Sequence, residues 1–185
     1  MSSDARRAVR RGLLAMVVTV SMLVAQAPPM ASPPTALELV GLAFPGCEIR
    51  WEVVALTAAQ QQRVVEQSGV ARGTATCRRF LVQKEGKCVG AAYVDARTVR
   101  SQGQSLLVCV DAAGKVLRIE VLQFAEPRQY RPRPEFFAQF VGQKLDDQLQ
   151  LRRGIRPVAG ATMSARAAVD AVRTVLAVHA VLVAR

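Results

Sequence analysis

The sequence is poor in the residues that build metal, haem and hydrolase sites. Its 185 residues include a single histidine, His179, and no Cys-x-x-Cys or Cys-x-x-Cys-His spacing. Zinc sites, haem sites and Ser–His–Asp or Cys–His sites therefore lack their usual ligands or bases in this chain. We accordingly expect no metal site and no catalytic residue set, so a self-contained enzyme is not the favoured interpretation.

Acidic residues are also scarce. The chain has 14 Asp and Glu against 25 Lys and Arg, which gives a formal net charge of +11. This balance fits nucleic acid, a membrane surface or an anionic ligand as a partner. Basic residues are not interleaved with aromatic ones, so we do not expect nucleic acid as a partner. A polyanion-binding protein stays a third hypothesis, and it predicts strongly salt-dependent binding.

The longest uncharged apolar run lies near the N-terminus, from Gly12 to about Ala27, and follows four arginines. This is the form of an export signal, although the run is shorter than the ~20 residues of a full transmembrane helix. Pro28 would obstruct cleavage after Ala27, so a cleaved signal and a retained anchor both stay open. We assign residues 1–27 to this signal or anchor, 28–35 to a proline-rich spacer, and 36–185 to an exported domain. The domain would be periplasmic or anchored to the outer face of the inner membrane.

Four cysteines are present: Cys47, Cys77, Cys88 and Cys109. Export would place them in an oxidising compartment, where an even number of cysteines is compatible with disulfides. Four cysteines allow three pairings, and their spacing does not choose among them. Small buried hydrophobic residues in strands are an equally good interpretation.

Periodicity and turn residues predict an α+β domain with an antiparallel, four-stranded or larger sheet flanked by helices. Between Thr76 and Phe124 four β-rich runs are separated by glycine-containing turns. Ahead of them we predict a short helix in "ALELVGLAF", a strand in "CEIRWEVVAL", and a helix after Thr57 with Gln60 completing a capping box and Gly69 at its end. "PEFFAQFVG" predicts another short helix.

The final helix is predicted to be amphipathic. Its apolar stripe would comprise Ala165, Ala168, Val169, Val172, Leu176 and Val183. Arg166, Asp170, Arg173 and Thr174 would lie on the opposite, polar face. His179 falls on the apolar stripe, where a core or helix-end role is expected rather than that of a catalytic base.

The turn Gly160-Ala161-Thr162-Met163-Ser164 precedes this helix. We expect Ser164 to be the N-cap, so that the first free backbone N–H groups point toward Thr162. A helix N-terminus favours anions, and phosphate is the usual guest. Gly160 permits a sharp turn, and Arg156 adds a nearby cation. The residues alone predict a phosphate-accepting turn, with a simple helix cap as the alternative.

The same turn resembles the flavinylation motif of the FMN-binding domain family. That family includes the C subunit of the sodium-translocating NADH:quinone oxidoreductase, the G subunit of the Rnf complex and small exported proteins. "LAFPGCE", "LTAAQQQRV", "GKCVGAAYVD", "DAAGKVLRIEVLQFAEPRQY" and "FFAQFVGQ" follow in the order of the small exported members. The resemblance covers about residues 36 to 180 and implies an electron-transfer domain.

The resemblance also implies particular roles. Thr162 would carry FMN through a phosphoester installed by an exported FAD:protein FMN transferase, with Gly160, Ala161, Met163 and Ser164 around it. Glu126 falls where related subunits carry a loop near the flavin. The flavin would exchange electrons with a redox partner protein, membrane-bound or of the cytochrome type.

Two positions depart from the family pattern. Ala159 replaces the usual Ser or Thr, and Arg156 stands where an acidic residue is usual. These departures favour two alternatives: a domain that holds FMN non-covalently, or a cofactor-free exported binding module of the same fold. The cation at position 156 would still favour a bound phosphate.

Overall fold

The computed structural model describes residues 35–71 and 74–183. These residues belong to one compact unit, 33–185. The predicted signal or anchor, and the spacer apart from Thr35, lie outside the described residues. Within the described ranges, no helix combines the length and apolar character that crossing a bilayer requires.

Among the described residues, five antiparallel strands form one sheet in the order β1-β2-β3-β4-β5, so each strand pairs with its neighbours in the chain. The strands are β1 (Glu48–Ala55), β2 (Thr76–Lys84), β3 (Lys87–Val99), β4 (Gln102–Asp111) and β5 (Val116–Phe124). The predicted antiparallel sheet is confirmed, and the strand after Cys47 makes it five-stranded. Turns rich in glycine and polar residues join β2 to β3, β3 to β4 and β4 to β5, which is why the sheet is a simple meander.

Four α-helices in the described ranges accompany the sheet: α1 (Ala36–Ala43), α2 (Ala58–Ser68), α3 (Pro134–Ala138) and α4 (Thr162–Val183). The α2 prediction is confirmed in detail. The Thr57 hydroxyl accepts from the Gln60 N–H, the Gln60 side chain accepts from the Thr57 N–H, and Gly69 ends the helix at φ 68°. Helix α1 begins with an equivalent capping box at Thr35 and Glu38.

Both faces of the sheet are covered. Helices α4 and α2 pack on one face, where alternate residues of β3 and β4, such as Tyr93 and Val108, join the larger apolar core. The intervening residues of β3 and β4, such as Ala92 and Leu107, face the other side of the sheet and pack under α1 in a smaller core. The central strands β3 and β4 are therefore buried on both sides.

Helix α4 is more deeply buried than its sequence pattern predicts. Arg173 and Thr174, expected on the polar face, are 7% and 2% exposed. The Arg173 guanidinium donates to the backbone carbonyls of Ser68 (2.7 Å), Asp146 (2.7 Å) and Leu149 (3.3 Å). Val183, expected on the apolar stripe, is 52% exposed. The stripe prediction was wrong at these positions because α2 and the segment after α3 cover the face that looks polar in the sequence.

One cysteine, Cys109, fits the interpretation as a small buried residue of a strand, whereas Cys88 is exposed and Cys47 is half-buried just before β1. Among the described residues, Cys47, Cys88 and Cys109 form no disulfide. Cys109 is fully buried in β4 under α1, and burial raises the pKa of its thiol to about 12. This thiol therefore acts as a small apolar core residue.

Candidate functional site

Helix α4 begins three residues earlier than predicted, at Thr162 instead of Ala165. Thr162 is its first residue and Ser164 its third, so the assignment of Ser164 as N-cap was wrong. The Ala161 carbonyl accepts the first helical hydrogen bond, from Ala165 N–H at 2.9 Å. The Ser164 hydroxyl is instead taken up by a tertiary contact, described below. A cap position that lacks a side-chain acceptor leaves the backbone donors of the first turn available.

The first turn of α4 presents those donors to the surface. No hydrogen bond joins the backbone N–H of Thr162, Met163 or Ser164 to any other described residue. Thr162 is exposed, and Met163 is 50% exposed. The turn contains no acidic residue of its own, so the positive end of the helix dipole is not compensated from within the helix.

Gly160 and Ala161 set the geometry of this turn. Gly160 adopts φ +76°, a left-handed conformation that favours glycine, and a Cβ there would meet nothing within 4 Å. Ala161 is only 3% exposed and pins the start of the helix to the core. The turn is thus held in place by the buried Ala161 side chain, while Gly160 faces open space.

A buried carboxylate fastens the helix start to the sheet. Glu126, just beyond β5, is 7% exposed and accepts a 2.9 Å hydrogen bond from the Ser164 hydroxyl. This contact spans 38 positions of sequence and brings together two of the predicted site residues. It also explains why Ser164 does not cap the helix, because an unpaired buried carboxylate would be costly.

A rim beside the first turn was not foreseen from the sequence. Arg100, in the turn between β3 and β4, places its Nε 3.2 Å from Sδ of Met163. Its guanidinium also lies over the Tyr130 ring, 5.1 Å from the centroid. Arg100 adopts φ 55°. We name Arg100, Tyr130 and Met163 the rim of the site. The sequence does not show that Arg100 adopts a left-handed conformation, and no sequence pattern links Arg100 to a helix residue 63 positions away.

Arg156 lies upstream, and its backbone is held by Gln139. Gln139 Oε1 accepts from the Arg156 N–H at 2.8 Å, and its Nε2 donates to the Arg156 carbonyl at 3.4 Å. The Arg156 side chain is exposed and makes no hydrogen bond or ion pair with the described residues. Its predicted proximity to a phosphate at Thr162 stays a prediction.

Other aromatic side chains and His179 belong to the scaffold. Phe140 is fully buried in edge-on contact with Phe136. Tyr93 is buried, and its hydroxyl lies 3.0 Å from Nδ1 of His179. Trp51 is 65% exposed on β1, the strand at the opposite edge of the sheet from β5.

These groups match the chemistry of a phosphate monoester. Backbone N–H donors, the helix dipole and the Arg100 guanidinium all favour an anion, and the exposed Thr162 hydroxyl can be esterified. An aromatic ring and a thioether beside them offer apolar contacts to a planar ring. The described residues contain no group of three or more His, Cys, Asp or Glu arranged to hold a metal ion.

Fold and site together define an α+β domain in which an antiparallel meander supports one long helix, whose exposed N-terminus is suited to an anion. Neither a scan against protein-family models nor a search of curated protein sequences finds a match to this chain.

Proposed function

We propose that this protein is an exported FMN-binding electron carrier whose FMN phosphate is esterified to Thr162. The observation that carries the proposal is the exposed Thr162 hydroxyl at the first position of a 22-residue helix, two residues after the left-handed Gly160. The hydroxyl lies where an attached phosphate would meet unbonded backbone donors. The likeness of the turn to the flavinylation motif supplies the identity of the phosphate compound.

The attachment step is a phosphoryl-type transfer in which FAD is the donor. The Thr162 oxygen forms a bond to the phosphorus of the FMN half, the pyrophosphate bond of FAD breaks, and AMP leaves as the threonine proton is released. An exported FAD:protein FMN transferase would catalyse this step. Exposure of Thr162 suits the proposal, since a separate enzyme must reach the hydroxyl.

The flavin supplies one- and two-electron redox chemistry, and the residues of this chain bind and orient it. The first turn of α4 and Arg100 would hold the phosphate. Glu126 and Ser164 keep the turn in place, and the rim would contact the ring system. The electron partner would be another protein of the same compartment, membrane-bound or of the cytochrome type.

Co-production with an exported FAD:protein FMN transferase tests the proposal. We expect yellow protein whose intact mass exceeds that of the polypeptide by one FMN minus one water, and whose colour survives denaturation. Thr162→Ala should remove both the mass increment and the denaturation-resistant colour. The matched control is Thr57→Ala, which also removes a threonine hydroxyl at a helix start but should leave flavinylation intact.

Two other outcomes would favour the alternatives. Colour that is lost on denaturation, with unmodified mass, would mean that FMN is bound without a covalent bond, and Arg156→Asp and Ala159→Ser would then be the variants to examine. Colourless, unmodified protein that takes up no added FMN would contradict the proposal and favour a cofactor-free binding module.

A further inference from the structure

A groove lies beside the Arg128–Tyr130 turn, outside the candidate site. It encloses about 500 Å³ between residues 117–121 of β5 and the segment that runs from Arg128 to Val141. Its apolar wall includes Phe137 and Val141, the latter 53% exposed. A cavity of this size with apolar walls and converging charged groups has the features of a binding site.

The groove follows the edge of the sheet rather than a face. Five consecutive residues, 117–121, line it, whereas a groove over one face would touch only every second residue of a strand. Strand β5 is the last in the sheet order. Its outer edge pairs only at its start, where Val116 exchanges hydrogen bonds with Gly142 (2.8 Å) and Gln143 (3.0 Å). Beyond Val116, no backbone hydrogen bond to another described segment covers that edge, which leaves it open to an added strand.

The opposite wall carries unpaired positive charge. Arg118 is paired with Glu120 at 2.6 Å, so these two charges compensate each other. Arg128, Arg131 and Arg133 are exposed, and none forms an ion pair within the described part of the chain. Three uncompensated cations thus stand along the groove within six positions of sequence.

We propose that this groove binds an extended acidic segment of a partner protein, which adds to β5 as a sixth strand. The open edge supplies main-chain hydrogen bonds, and side chains on alternate faces of the added strand meet the apolar wall and the three arginines in turn. Charge complementarity would accelerate encounter and set which partners bind. An acidic strand is therefore the occupant whose backbone and side chains both match the groove.

The position of the groove connects it with the candidate site. Arg128 and Arg131 line the groove, while Tyr130, between them, contacts Arg100 at the rim. Glu126, which holds the start of α4, lies two residues before Arg128. Identifying the acidic partner as the electron partner rests on the proposed function; the docking itself does not require a flavin.

A peptide of about eight residues alternating Glu and Val, carrying an uncharged fluorophore, is the probe. We expect it to bind the full chain at about 20 mM salt, with affinity falling steeply above about 0.2 M. The triple variant Arg128→Gln/Arg131→Gln/Arg133→Gln should bind at least about tenfold more weakly. The control variant Arg50→Gln/Arg63→Gln/Arg78→Gln removes the same charge from exposed positions on β1, α2 and β2 and should retain binding.

Backbone hydrogen exchange separates strand addition from simple charge attraction. Saturating peptide should slow exchange of amides in residues 118–121 and leave β1 unchanged. No binding of the Glu–Val peptide, equal loss in both triple variants, equal binding of a Gln–Val peptide, or unaltered exchange in β5 would each overturn the proposal. Thr162→Ala protein should bind the peptide as the parent does, so failure of flavinylation and failure of docking are distinguishable.

Discussion

The two ends of helix α4 make opposite use of polar side chains. In the second half of the helix Arg173 and His179 are 7% and 3% exposed and contact groups of the surrounding scaffold. At the N-terminal end Thr162 and Met163 are exposed, and the backbone donors of the first turn bond no other described residue. Ser164 and His179 are separated by about 22 Å along one continuous helix.

The buried and the exposed parts of the helix therefore have different roles. The buried half fixes α4 against α2, the sheet and the segment after α3, so its polar groups contribute to stability. The exposed end is held by that half and by the Ser164–Glu126 contact, and the Thr162 hydroxyl there bonds no other described residue. We therefore expect substitutions at Arg173 to lower the free energy of unfolding most. Toward Thr162 the effect on stability should decrease, and the effect on ligand binding should increase.

The largest effect on stability is expected at Arg173. Arg173→Met removes the donor to three backbone carbonyls and leaves them without a partner, which should lower the free energy of unfolding by about 3 kcal/mol. Urea unfolding followed by circular dichroism measures this change. Arg166→Met, at an exposed position of the same helix, should change stability by less than about 0.5 kcal/mol. Equal effects of the two variants would show that the buried guanidinium is not structural.

A smaller loss is expected where the exposed end is fastened. Ser164→Ala leaves the buried Glu126 carboxylate without its hydroxyl donor and should cost about 1–2 kcal/mol of unfolding free energy. In the Glu126→Leu background the same substitution should cost much less, since the carboxylate is gone. A double-mutant cycle measures the coupling, and coupling below about 0.3 kcal/mol would contradict the contact.

At the buried end, His179 should make stability depend on pH. Burial, together with the positive Arg79, lowers the pKa of His179 below its ordinary value of 6.5, although Asp111 acts in the opposite direction. The unfolded chain therefore takes up the proton first, so stability falls as pH drops below 6.5 toward the folded-state pKa. The slope can reach about 1.4 kcal/mol per pH unit.

Unfolding of the parent and of His179→Gln between about pH 5 and 8 checks this prediction. The parent should lose stability relative to the variant on the acid side. Burial raises the pKa of the Tyr93 hydroxyl well above its ordinary value, so this hydroxyl stays protonated throughout this range and can donate to Nδ1 of His179 when the imidazole is neutral. Parallel stability curves for the two proteins would show that His179 does not titrate as proposed.

The smallest effect on stability is expected at Thr162. Its side chain is exposed and makes no hydrogen bond with a described residue, so Thr162→Ala should change the free energy of unfolding by less than about 0.5 kcal/mol. Thermal unfolding of protein prepared without the transferase measures this. A loss above about 1 kcal/mol would mean that the hydroxyl is a structural cap, which would weaken the interpretation of any loss of flavin in this variant.

Sequence patterns sufficed where structure is local. The Thr57–Gln60 capping box and the turn glycines specify α2 and the meander through interactions within a few residues. They failed where partners are distant in sequence. The start of α4 depends on Glu126, 38 residues away from Ser164, and the burial of Arg173 depends on carbonyls from α2 and the segment after α3. Arg100 gave no signal because its role depends on a left-handed turn and on contacts made only after folding.

The most direct test of the central claim is the site of modification in protein made with the transferase. Trypsin should release residues 154–166, since cleavage before Pro157 is disfavoured, and this peptide has only two hydroxyl side chains, Thr162 and Ser164. The account predicts that fragmentation places one FMN, minus water, on Thr162. An unmodified peptide, or FMN on Ser164, whose hydroxyl is buried against Glu126, would contradict it.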